Sequence, residues 1–91
     1  MAEKPPPDGF DMEKAGELTL ALMVLGLHGH MKLPDGDEAA RTWKSYDWDV
    51  LDHLHEQGYI SNPVGKAKSV VLTTEGLKRA RELFARHLGT A

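Results

Sequence analysis

The chain has 91 residues, of which 41% are hydrophobic, enough for one small domain with a modest core. It has no cysteine, which excludes disulfides, thiolate metal sites and a cysteine nucleophile and fits a reducing cytoplasm. The net charge of −3 hides a gradient: residues 1–40 sum to −5, residues 41–57 to −2 and residues 58–91 to +4, so the C-terminal third is basic.

MAEKPPPDGF joins three prolines to charge and glycine, so residues 1–10 read as a disordered arm, and residues 11–89 as a single domain. It lacks the apolar core of a signal peptide, and Leu18 to Leu27 is about half the length of a membrane span, so a soluble, unexported protein is expected. Asp11 to Leu27 is helical in pattern, with Asp11 and Glu13 suited to its positive end. Ala15, Leu18, Leu22 and Leu25 recur at three- and four-residue spacing and are read as the core-facing stripe. Leu20, Met23, Val24 and Leu27 fall on the other side and suggest a homodimer contact, because a helix apolar all round must be covered all round.

HGHMKLPDGD, residues 28–37, reads as loop, and Glu38 to Lys44 as a short second helix capped by Asp37. A third helix starts at Ser45 or Asp47 and ends at Gly58, a residue that takes positive φ without steric cost. Tyr59 to Ser61 and Ser69 to Leu72 read as two strands of a hairpin with a basic tip at Lys66 and Lys68. Thr73 or Thr74 caps a last helix, apolar at Leu77, Ala80, Leu83, Phe84 and Leu88, which ends at Gly89. The fold expected is mainly α with a small β-hairpin (α+β), in the order α-α-α-β-β-α.

Leu51, Leu54, Gly58, Tyr59, Ile60, Leu72, Thr73 and Gly76 have a spacing that resembles winged-helix regulators of the MarR and PadR kinds. Trp43 to about Phe84 is similar to an uncharacterised family of short bacterial proteins of unknown function, and this chain is longer between His28 and Trp43. The winged-helix resemblance implies a helix-turn-helix whose third helix enters the major groove. Independently of it, Leu51 and Leu54 would pin that helix, Ile60 and Val71 would fill the floor under the hairpin, and Gly76 would admit another backbone.

The residues oppose the DNA function. With Leu51 inward, Asp49, Asp52, His53 and Glu56 turn outward, and no cation lies between Asp47 and Gly58 to hold phosphate. A protein-binding face of Trp48, Asp49, Asp52 and Glu56 is therefore the leading expectation, with DNA binding through Lys66, Lys68, Arg79 and Arg81 as the alternative. Trp43, Tyr46 and Trp48 are read as core, although an exposed ring beside the acidic face would anchor a basic partner.

Catalysis is not expected: no serine lies in a glycine-rich elbow and there is no phosphate loop. No metal or other cofactor is expected either. His53 and His55 are two apart on a helix and point about 200° apart, and the Asp35 run lacks the glycine and ligand that a calcium loop needs.

Overall fold

A computed structural model describes residues 11–90, so the proline-containing arm lies outside the described residues. The protein is α+β, with elements in the order α1 (Met12–Met23), β1 (His28–Lys32), β2 (Glu38–Trp43), α2 (Trp48–Glu56), β3 (Ser69–Leu72) and α3 (Thr74–Leu88). A short 3-10 turn, Val24–Gly26, continues α1. The order is thus α-β-β-α-β-α, not α-α-α-β-β-α.

The difference lies in residues 28–43. Instead of a loop and a helix they form an antiparallel hairpin, joined by a turn in which Leu33 N–H donates to the Asp37 carbonyl and Asp37 N–H to the Asp35 carboxylate. Asp37 therefore caps no helix. Strand β2 is central in a three-stranded antiparallel sheet, with β1 and β3 on either side. Its pairing with β3 sets Ala40 opposite Leu72 and Thr42 opposite Val70 on one face, and Arg41 opposite Val71 and Trp43 opposite Ser69 on the other. Tyr59 to Ser61 contributes only a single bridge, Ile60 to Leu72, so the expected two-stranded hairpin is replaced by this sheet. Ile60 is in the core, but its companions there are Val70 and Leu72, because Val71 points to the other face.

Residues from all three helices join Ala40, Val70 and Leu72 in the core. Gly16 lets α1 approach α2: a Cβ there would stand 3.1 Å from His53 Cδ2 and 3.2 Å from Leu54 Cδ2. The buried Thr42 hydroxyl donates to the Met23 carbonyl at 2.8 Å, tying the sheet to the end of α1. Gly58, at φ 80°, makes the exit from α2, and Thr73 caps α3 by accepting from Gly76 N–H. A Cβ on Gly76 would fall on the Tyr59 carbonyl oxygen, so this is the close backbone approach that its position implied.

The orientation of α1 is the reverse of the expected one. Leu20 and Met23 are 1% and 0% exposed, in the core, with Val24 and Leu27 packed against it. Leu18, Leu22 and Leu25 face solvent. The core lies on the Gly16, Leu20 and Met23 side because that side alone combines large apolar groups with a glycine where α2 must come close.

Candidate functional site: the outer face of α2

Asp47 starts α2 by accepting from the N–H groups of Asp49 and Val50, which fixes Trp48 as its first residue. Val50, Leu51 and Leu54 turn inward and are buried. Trp48, Asp52 and Glu56, four residues apart, then run along one outer line, with Asp49 beside it. Trp48 is 54% exposed, so it is a surface residue and not the core residue its position suggested. Asp52 and Glu56 are also exposed, and Asp49 is partly so.

The Trp48 ring is held from behind. Lys44 Nζ lies 5.7 Å from its centroid and donates to the carbonyls of Pro63 at 2.7 Å and Gly65 at 3.0 Å. The loop that these bonds hold presents Val64, 73% exposed, while Pro63 is buried and Asn62 accepts from Val64 N–H. Lys44 and Val64 are thus parts of the surface that sequence reasoning missed. In the sequence Lys44 stood out only as a basic residue between Trp43 and Tyr46, ahead of α2.

His53 belongs to the inner side after all. It lies against Gly16 of α1, with Nε2 buried and without a hydrogen-bond partner among the described residues. His55 instead pairs its Nδ1 with the Ile60 carbonyl at 3.0 Å, below the helix end. Tyr46, just ahead of α2, packs against the core, and burial raises its phenol pKa above the ordinary 10.0. Trp43 is 52% exposed on the outer side of the sheet, its ring centroid 4.3 Å from that of His28, and His28 Nδ1 lies 2.9 Å from the Gly26 carbonyl.

The four cations of the alternative reading are dispersed. Arg79 pairs with Glu17 of α1 at 3.0 Å, and Arg81 with Glu38 at 3.4 Å, at the start of β2. Lys66 and Lys68 sit past the other end of that strand, where Lys44 N–H donates to the Lys68 carbonyl. A six-residue strand separates the two places by roughly 16 Å. An open groove of about 520 Å³ beside Arg81 is lined by His30, Met31, Lys32 and Glu38 as well, and so mixes both signs of charge.

Among the described residues no three histidine or carboxylate side chains converge as metal ligands would, and no helix is long and apolar enough to cross a membrane.

The model of the family described as Domain of unknown function (DUF6429) matches residues 11–90, and the chain belongs to that family. The uncharacterized protein y4hR of Sinorhizobium fredii is 45% identical over 77 residues, which cover 85% of this chain and 92% of that protein. No solved structure matches the chain.

Proposed function

We propose that this DUF6429 member is a non-catalytic binding module that holds a basic protein partner on the outer face of α2 and pairs with itself through α1. The observation that carries the first part is the exposure of Trp48 at the head of the Asp52 and Glu56 line. An indole brings a large apolar area to a contact, and carboxylates around it steer and register a cationic partner. The face is a convex helix surface, which suits contact with another macromolecule better than enclosure of a substrate. Self-pairing draws on the leucines that α1 and the turn after it leave bare, with Leu18, Leu22 and Leu25 taking the part first given to Leu20, Met23, Val24 and Leu27, all of which lie in or against the core. The lack of cysteine in 91 residues supports a cytoplasmic setting.

Kinship with winged-helix regulators, and DNA binding with it, has less support. The element order departs from the expected one, α2 offers a duplex carboxylates, and two of the four candidate cations are already paired.

The test is a titration of isotope-labelled chain with an amphipathic lysine- and arginine-rich helical peptide, and separately with a short DNA duplex. The peptide is expected to shift the Trp48 indole and the α2 amides. Trp48→Ala and Asp52→Lys should each weaken it about tenfold. Shifts confined to Lys66 and Lys68 on adding duplex would favour the DNA reading instead.

A further inference from the structure

We propose that the uncovered side of the sheet binds a single-stranded nucleic acid, with an unpaired base on the Trp43 indole and a neighbouring phosphate on the Arg41 guanidinium. The surface is not that of α2, and neither reading needs the other. The three helices pack on the side of the sheet that carries Ala40, Val70 and Leu72. The other side has no second layer among the described residues, and Arg41 and Trp43 of the central strand project from it beside His28 of β1. Met31, Ala39 and Val71 share that side and give it an apolar floor. The Trp43 ring is set for stacking. His28 and Gly26 back it: the two ring planes are 31° apart, and the His28 Nδ1 lies 2.9 Å from the Gly26 carbonyl, while a Cβ on Gly26 would stand 2.9 Å from Trp43 Cδ1. The rest of the indole is bare. An aromatic ring on an open sheet takes a base on its free face, and every base has a face to offer. A duplex keeps its bases stacked on one another, so only a single strand can use the ring in this way.

Charge selects the occupant. The chain carries −3 overall, yet no carboxylate stands on this side of the strands: Glu38, the only acidic residue in them, turns to the helix side and pairs with Arg81. Arg41 stands in the middle of the open side. Its Nε donates to Ser69 Oγ at 2.9 Å, and Gly29 leaves room for the side chain, since a Cβ there would stand 3.5 Å from its Cγ and Cδ. That bond aims the guanidinium without neutralising it. The terminal nitrogens meet no carboxylate among the described residues and remain for a phosphate. Lys66 and Lys68 are exposed at the Trp43 end of the sheet, where Lys44 N–H meets the Lys68 carbonyl, and they extend the positive surface past the ring. An acidic protein segment would meet the same cations but leave the bare indole unused.

The test is a titration of the isotope-labelled whole chain at low salt with a short oligouridylate, a short oligothymidylate, a DNA duplex and a polyglutamate peptide. At least one of the single strands should shift the Trp43 indole and the amides of Arg41 and Ser69 while leaving the Trp48 indole in place, with a dissociation constant on the order of 10–100 µM. Trp43→Ala should weaken that binding about tenfold, whereas Trp43→Phe, which keeps a ring, should weaken it less than about threefold. Arg41→Gln should weaken it about fivefold and make the slope of log affinity against log salt shallower by about 0.7, the share of one phosphate on a single strand. Should a sheet variant fail to fold, Lys68→Glu, which sits outside the strands, carries the test with an expected loss of about fivefold. No shift with either single strand up to millimolar concentration would overturn the proposal, as would binding indifferent to every one of these variants. A duplex or polyglutamate that moved the same resonances as strongly as the single strands would overturn it too, since neither offers an unpaired base to the ring.

Discussion

Helices α1 and α2 are started by one device, an aspartate that accepts from the N–H groups two and three residues on, Asp11 for one and Asp47 for the other. Each lays one side on the core. Their outer sides differ completely: α2 shows carboxylates and one indole, α1 shows three leucines. A small domain needs a single apolar side from each helix, and α2 has just that, with an outer charge that makes two copies repel. The second apolar side of α1 has no use within one chain. The contrast fits the proposed partners, a basic one for α2 and a like one for α1.

The largest expected effect separates the two sides of α1. Leu20→Ala should cost about 2–5 kcal/mol in urea unfolding, as a buried leucine does, whereas Leu22→Ala in dilute solution should stay within about 0.5 kcal/mol of the parent. Equal losses would mean that both sides are core, and the contrast with α2 would disappear. Next come the shared caps. Asp11→Ala and Asp47→Ala should each cost about 0.5–2 kcal/mol, and a helix that ignored its cap would show that the two starts are not alike.

The smallest effect belongs to Tyr46, which distinguishes the start of α2. Burial raises its pKa in the folded chain above 10.0, so the unfolded chain loses that proton first. Its contribution is constant below the unfolded value and is lost as pH rises from about 10 through the folded value. Melting temperatures should fall along that alkaline limb, and Tyr46→Phe should flatten the fall; an unchanged slope would remove the distinction.

Segments governed by local chemistry were legible in the sequence: the Asp47 cap, the Gly58 exit, the Thr73 cap and the tight approach at Gly76 each depend on one residue type in one backbone setting. The hairpin of residues 28–43 was not. Its strand β1 is polar and largely exposed, and Glu38-Ala39-Ala40-Arg41 is compatible with helix, so β2 becomes a strand through its pairing with β1 and with β3, the latter some thirty residues away in sequence. The line 12, 16, 20, 23 of α1 carries Met, Gly, Leu and Met without a charge, while Asp11 and Lys14 lie in line with the leucine stripe. That polarity at the helix start was the available cue to which side is buried. For α2 the carboxylates were found from the wheel, but the setting of Trp48, with Lys44 near its ring and bound to two loop carbonyls, is one that no local pattern contains.

The sheet limits how far self-recognition can go. Strand β1, at one edge, is broken by a register shift between His28 and Met31 and by Gly29 at φ 58°, and it ends in Lys32. At the other edge Ser61 engages both main-chain groups of Val71, its hydroxyl taking the Val71 N–H and its own N–H reaching the Val71 carbonyl. Neither edge offers a clean ladder to another chain, so growth by strand addition is blocked. The proposed two-fold contact through α1 would consume the same patch on both copies and leave nothing for a third, so such association would end in a closed pair instead of a fibre.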